Sequence, residues 1–335
     1  MTDRANNGMP MSAFLPPLGL ANPHIQTLLP RLFRRRPLFA PIWQTLETSD
    51  NDFLDLAWSE APELVGQNNK PIFVLFHGLE GSFYSPYANG LMHAFAQHGW
   101  NSVLMHFRGC SGRPNRLARA YHSGETSDAR WVLEHIRQTY PNRTVIAAGV
   151  SLGGNMLVNY LSDYADDPIV QAATVISAPL DLASCSDRIE IGFSKIYRNY
   201  LMNSLKRNAL LKISQLNKQL GIQAEQITNL RRLRDFDDLI TAPLHGFSDA
   251  QDYYQRCSGL SKLPNISIPT LLLQAKDDPF MTDKVIPTFP LPEHVHYRLL
   301  AHGGHVGFVN GSLLKPQCWL EQMLPKHYQY LLNNA

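Results

Sequence analysis

Cysteine is scarce, and the four present, Cys110, Cys185, Cys257 and Cys318, are scattered without a Cys-x-x-Cys pair. That pattern excludes a zinc cage and fits reduced, structural thiols better than a disulfide framework. An excess of one charge is equally lacking. Lys+Arg number 30 against Asp+Glu 28, a formal charge of +2, and the only tight basic run is Arg34-Arg35-Arg36. Phosphate backbones demand concentrated cations, so no nucleic-acid partner is expected. No run of ~18 apolar residues occurs, so no transmembrane segment is expected; peripheral contact with lipid is left open. The first residues, MTDRANNGMPMSAF, place an acid, two Asn and a Pro where a secretory leader needs a basic start and an apolar stretch, and a cytoplasmic location is the expectation. Repeats, low-complexity tracts and a flexible interdomain linker are missing too, which leaves 1–335 as a single domain.

What is present is core-forming: 44% of residues are hydrophobic and 17% charged, enough to bury one large interior. From Pro71 onward, strand-length apolar runs alternate with longer amphipathic ones, as a parallel sheet with helical crossovers requires. Strands are expected at Ile72–Phe76, Ser102–His106, Arg143–Ala148, Ala172–Ser177, Thr270–Gln274 and Val295–Leu300. Helices are expected at Tyr87–His98, Gly124–Tyr140, Leu152–Tyr164 and Gln317–Leu332, the last interrupted at Pro325. Leu38–Glu47 and Phe53–Trp58 flank a turn cluster and predict an antiparallel hairpin on the sheet's edge. The fold class is therefore α/β, a mostly parallel mixed sheet with helices on both faces. Between Ser177 and Thr270 the chain is roughly three times longer than the ~30 residues a βαβ connection needs. Residues 181–262 read as an inserted helical cap, helical over Ile189–Leu220, above the strand ends where ligands bind in such sheets.

Gly149-Val150-Ser151-Leu152-Gly153 is the only Gly-x-Ser-x-Gly, and it joins a β-branched strand to an amphipathic helix. In that context the turn is so tight that the serine is forced into strained backbone angles with its hydroxyl standing free, above a helix N-terminus that favours negative charge. A serine hydroxyl needs an imidazole to take its proton, and the imidazole needs a carboxylate. Asp277-Asp278-Pro279 follows one late strand and His302-Gly303-Gly304-His305 the last. Asp278, just before Pro279, is preferred to Asp277 as the acid, with Asp277 as a turn residue. His305, preceded by Gly304, is preferred to His302, which reads as a loop residue. A metal held by His302 and His305 lacks a third ligand at suitable spacing, and neither metal nor cofactor is expected. The backbone N–H groups of Leu79, in His77-Gly78-Leu79-Glu80-Gly81, and of Leu152 are the expected oxyanion donors, with His77 itself structural.

These segments resemble the α/β-hydrolase superfamily, and within it the AB hydrolase 4 family. The likeness rests on Asn22-Pro23-His24-Ile25-Gln26-Thr27, the His77 to Gly81 segment, Phe107-Arg108-Gly109-Cys110-Ser111-Gly112, Tyr121-His122-Ser123-Gly124-Glu125-Thr126, the Ser151 turn, Ala275-Lys276-Asp277-Asp278-Pro279 and the His302 to His305 turn. The resemblance implies a charge relay of Ser151, Asp278 and His305 acting on acyl esters, with lipid-like or medium-chain esters among relatives' substrates. Arg108, Glu125 and Asp128 fall in family segments and are expected to be structural. The leading expectation is a serine carboxylester hydrolase on a small-molecule acyl ester. An acyltransferase with the same three residues and a non-catalytic ligand-binding protein on the same scaffold are the alternatives.

Overall fold

The computed structural model describes residues 13–67 and 69–334, so most of the N-terminal stretch read for a leader lies outside the described residues. One sheet contains β1 (Ile42–Glu47), β2 (Phe53–Trp58), β3 (Ile72–Phe76), β4 (Asn101–Met105), β5 (Val145–Val150), β6 (Ala172–Ile176), β7 (Thr270–Ala275) and β8 (Val295–Leu300). Its spatial order is β1-β2-β4-β3-β5-β6-β7-β8. β2 is antiparallel to β1 and β4, and the remaining pairs are parallel. The hairpin strand begins at Ile42 rather than Leu38, because Ile42 pairs with Trp58, the last residue of β2, and Pro41 before it has no N–H to offer a ladder.

α1 (Pro23–Phe33) leads into the hairpin, and the single turn α2 (Pro62–Val65) leaves it. Four longer helices cover the sheet: α3 (Pro86–Gln97), α4 (Ser127–Thr139), α5 (Leu152–Asp163) and, near the C-terminus, α13 (Trp319–Asn333). Strand alternation divides the core between the two faces. Ile72, Val74 and Phe76 pack with Val132, Ile136, Met156 and Leu157 of α4 and α5. Phe73 and Leu75 pack with Leu91, Phe95, Leu324 and Tyr328 of α3 and α13. With both faces covered, the central strands read as continuous apolar runs. α4 starts at Ser127 and not Gly124, because the chain turns at Ser123 and Gly124, with the Glu125 N–H donating to the His122 carbonyl (3.1 Å), and the Glu125 carboxylate accepts from the Ser127 N–H (3.1 Å) at the helix start. α13 passes through Pro325 without the expected interruption. Its buried Trp319, Met323, Leu324 and Tyr328 hold it against the sheet despite the hydrogen bond a proline removes.

Between β6 and β7 the chain forms α6 (Leu182–Arg188), α7 (Ser194–Leu211), α8 (Ile213–Leu220), α9 (Ala224–Asn229), the short α10 (Leu233–Phe236) and α11 (Ala242–Leu244) around a π-helical turn, and α12 (Ala250–Cys257). The run expected to be helical over Ile189–Leu220 is broken twice. Gly192, at φ 59°, turns the chain before α7. At Lys212 the backbone leaves helical angles, and its ammonium enters a socket of the Asn115 side-chain oxygen and the carbonyls of Leu117, Ala118 and Arg119, at 2.8–3.1 Å. This segment has its own apolar centre, in which Leu205, Ala209, Leu216, Phe236 and Ile240 meet, and Leu79 packs against it. No helix among the described residues is long and apolar enough to cross a membrane.

Candidate active site

Ser151 separates β5 from α5 at φ 54°, ψ −121°, backbone angles that ordinary side chains avoid. Its N–H donates to the Ile176 carbonyl (2.8 Å), and its own carbonyl accepts from Gly154 and Asn155, which locks the turn. Gly153 is obligatory here: a Cβ would lie 2.4 Å from the His77 carbonyl oxygen. The strand–turn–helix geometry read from the pentapeptide is thus present.

The three expected side chains converge. His305 Nε2 lies 3.0 Å from Ser151 Oγ, and Nδ1 lies 2.9 Å from Asp278 Oδ2. A carboxylate can only accept, so the ring proton sits on Nδ1 and Nε2 is free to accept from the serine O–H. The Asp278 side chain is fully buried; Oδ1 accepts from the Phe280 N–H (2.8 Å). Asp277 points elsewhere. It accepts from the Gly304 N–H (3.0 Å) and faces the half-exposed His302 at 3.3 Å, so it braces the turn that carries His305.

Several supports were not legible in the sequence. Thr27 Oγ of α1 accepts from the His305 N–H (2.9 Å) while donating to the Pro23 carbonyl (2.7 Å). Gln26 bonds both the N–H and the carbonyl of Val309. Gly304, at φ 57°, leaves room for α1, since a Cβ would lie 2.4 Å from the Pro23 carbonyl oxygen. The Phe280 ring stacks on the His305 imidazole, centroids 4.0 Å apart, and Tyr197 of α7 stacks on Phe280 at 5.0 Å. The Asn-Pro-His-Ile-Gln-Thr segment was visible as a family feature, but its partners are distant in the chain.

Around the Leu79 turn, the amides of Gly78, Glu80 and Gly81 are all used: by the Tyr87 hydroxyl, the Tyr121 hydroxyl and the Gly78 carbonyl. Among the described residues the Leu79 N–H between them has no such bond, and the Leu152 N–H begins α5, where no helical acceptor exists. Leu79 and Leu152 line the same cavity as Ser151 and His305. Glu80, at φ 53°, accepts from Tyr121 Oη (2.9 Å) and Asn208 Nδ2 (2.6 Å), tying this turn to α7; burial pushes its carboxyl up. His77 is buried between the Gly78 carbonyl (2.7 Å), to which Nδ1–H donates, and the Phe107 N–H (3.1 Å), from which Nε2 accepts. Burial drives its pKa down to about 3, so it stays neutral.

Arg108, Asp128 and Glu125 belong to an ion network. Arg108 is bidentate to Asp128 (2.7 Å twice) and reaches Asp50 (2.9 Å) and Asp52 (3.0 Å), while Arg119 joins Asp50 to Glu125. None of these groups bonds Ser151, Asp278 or His305. Among the described residues one trio has the composition of a metal site: His122, Glu125 and His245, with ligand-type atoms within 4.8 Å of one another. Glu125 accepts from Arg119 (2.8 Å) and His122 Nδ1 from the Gly124 N–H (3.2 Å), so part of the trio's capacity is spent on the protein itself; His245 Nε2 is buried without a hydrogen-bond partner among the described residues.

The cavity over Ser151 measures about 800 Å³ and is walled by Leu205, Ala209, Leu216, Phe236 and Ile240 from the 182–257 helices. A family model described as the alpha/beta hydrolase fold matches residues 71–312. The chain belongs to the α/β-hydrolase family. It is 51% identical to "Putative esterase YheT" of Escherichia coli (strain K12), over 97% of this chain and 95% of that one. It is 27% identical to "Phospholipase ABHD3" of Mus musculus, covering 92% of this chain and 76% of that one. Among solved structures the Pyrococcus furiosus esterase Pf2001 superposes with a TM-score of 0.52 at 13% identity, over 88% of this chain and 91% of that one, a likeness of fold. Ser151, Asp278 and His305 all lie on loops leaving the carboxyl ends of β5, β7 and β8.

Proposed function

We propose that this α/β-hydrolase is a serine carboxylester hydrolase working through an acyl-enzyme on Ser151. His305 Nε2 takes the Ser151 proton as Oγ attacks the ester carbonyl, and Asp278 holds the ring in the required tautomer and supports the imidazolium. Negative charge gathering on the carbonyl oxygen meets the Leu79 and Leu152 N–H groups. Each such donor is worth about 10²–10³ in turnover, because fixed dipoles need no reorganisation. His305 then protonates the leaving alcohol, and water, deprotonated by the same nitrogen, releases the acid.

The observation that carries this reading is the chain of two bonds, 3.0 Å from Ser151 to His305 and 2.9 Å from His305 to Asp278. The cavity size falls in the range of small-molecule sites, and its apolar wall suits an acyl chain better than a charged substrate. Short- to medium-chain or lipid-like acyl esters are the substrate class that follows. The 181–262 insertion acts as the cap that shapes this wall. A p-nitrophenyl ester series from acetate to palmitate, run on the wild type and on Ser151→Ala, tests it. Turnover that depends on Ser151 and peaks at an intermediate chain is expected; equal turnover by both proteins would overturn the proposal.

A further inference from the structure

Two helices at the cavity leave matching apolar stripes in solvent. On α1, Ile25, Leu28 and Leu32 follow the i, i+3, i+7 spacing of one helical face. At the start of α7, Phe193, Ile196 and Tyr200 repeat the same spacing. All six are between 37% and 59% exposed. The stripes lie side by side: His24 packs on Phe193 with centroids 4.3 Å apart, and the Arg31 guanidinium stands 4.5 Å over the Tyr200 ring. Leu28, Ile196 and Tyr200 also line the catalytic cavity, so the combined patch is continuous with its wall. Scattered exposed apolar residues need no explanation, but a contiguous set of this kind marks an interaction surface.

The unpaired charge on and next to these two helices has one sign. Neither α1 nor α7 contains a carboxylate. Arg34 and Arg198 are neutralised by Glu321 and Glu190, but Arg31, Arg35, Arg36 and Lys195 form no ion pair among the described residues. Apolar stripes fringed by uncompensated Arg and Lys match the boundary of an anionic bilayer, where side chains such as Leu, Ile and Tyr enter the headgroup region and cations meet lipid phosphates. A second copy of this chain would set like charges against each other.

We propose that the α1–α7 face docks on the surface of an anionic phospholipid bilayer, with the cavity beside it. Lipid esters then pass from the bilayer into the cavity with little exposure to water. The docking deepens the ester-hydrolase reading, yet vesicle binding is measured without turnover, so the failure of either is distinguishable from the failure of the other.

The test is flotation of the full chain with phosphatidylglycerol-containing vesicles and with pure phosphatidylcholine vesicles, at low and high salt, alongside sedimentation without lipid. The variants are Leu32→Asp, Arg36→Glu and their combination; neither residue lines the cavity. The wild type is expected to float with anionic vesicles and to release with salt. Arg36→Glu should weaken binding at least about fivefold, the worth of one basic residue at an anionic surface, and the double variant by more, with an unchanged melting temperature. Wild-type protein that ignores anionic vesicles overturns the proposal. So does equal binding by a folded double variant, or a wild-type dimer that the double variant dissolves while vesicle binding is absent.

Discussion

Ser151, Asp278 and His305 stand on loops that leave β5, β7 and β8, whereas the apolar wall of the cavity hangs from helices inserted between β6 and β7. The loops are fixed by hydrogen bonds that a main-chain N–H donates. Ser151 is bonded through Ile176 and Gly154, Asp278 through Phe280, and His305 through Thr27. The inserted helices are fixed by side chains, through their own apolar centre, the Lys212 socket, the Glu80–Asn208 bond and the Phe280–Tyr197 stack. Under the proposed mechanism, side chains held to parallel strands tolerate little displacement, while a wall held by side chains can be reshaped without losing the proposed reaction. Substitutions in the loops should therefore act on turnover, and substitutions in the helices on stability and chain-length preference.

Ser151→Ala should cost about 10⁵–10⁶ in kcat, leaving what oxyanion donors and binding supply. Asp278→Asn should cost about 10⁴, because an amide can hold the wrong tautomer of His305. Asp277→Asn keeps the oxygen that accepts from Gly304 and loses only a charge facing a half-exposed histidine, so its cost should stay within about fivefold. Steady-state kinetics on one soluble ester separates the three, and comparable losses in Asp277→Asn and Asp278→Asn would contradict the division of roles.

In the helices, Lys212→Met strands four acceptors that now share one ammonium. A loss of about 2–4 kcal/mol in urea unfolding is expected. Ala209→Phe puts a ring into the cavity wall. The ratio of long-chain to short-chain kcat/KM should fall about 10–100-fold, with acetate turnover little changed. A fall in acetate turnover as large as in palmitate turnover would break the contrast between the two regions.

Asp237, which accepts from the Tyr254 hydroxyl (2.7 Å), gives a pH signature. Burial raises its pKa from 3.8 to about 6 despite that hydrogen bond. Its folded-state pKa exceeds the unfolded one, so its stabilisation is complete below about pH 4 and is lost as pH rises through 6. Asp237→Asn should therefore match the wild type at pH 4 and exceed it by about 1–3 kcal/mol at pH 8. Equal stability at both values would show that the carboxyl is well solvated.

Local signals carried much of this. The Gly149 to Gly153 turn, the Asp277-Asp278-Pro279 segment and the Gly-Gly-His turn each announce themselves within a few residues, because each is defined by backbone shape at one place. The strand and helix order was readable for the same reason, since burial on both faces makes β3, β5, β6 and β7 continuous apolar runs. Thr27 and Gln26 were not assignable, because their partners His305 and Val309 lie at the other end of the chain. Lys212 carries no local signal of its role, and only the fold shows it buried among carbonyls. The spacing of Ile25, Leu28 and Leu32 is equally that of a core-facing stripe, and only their exposure in the fold distinguishes the two.

The convergence of Ser151 and His305 is tested most directly by mapping a fluorophosphonate adduct with tandem mass spectrometry in the wild type and in His305→Ala. The adduct is expected on Ser151 alone, forming at least about 10³-fold more slowly without the imidazole. An adduct on another residue, or labelling of Ser151 at an undiminished rate in His305→Ala, would contradict the assignment.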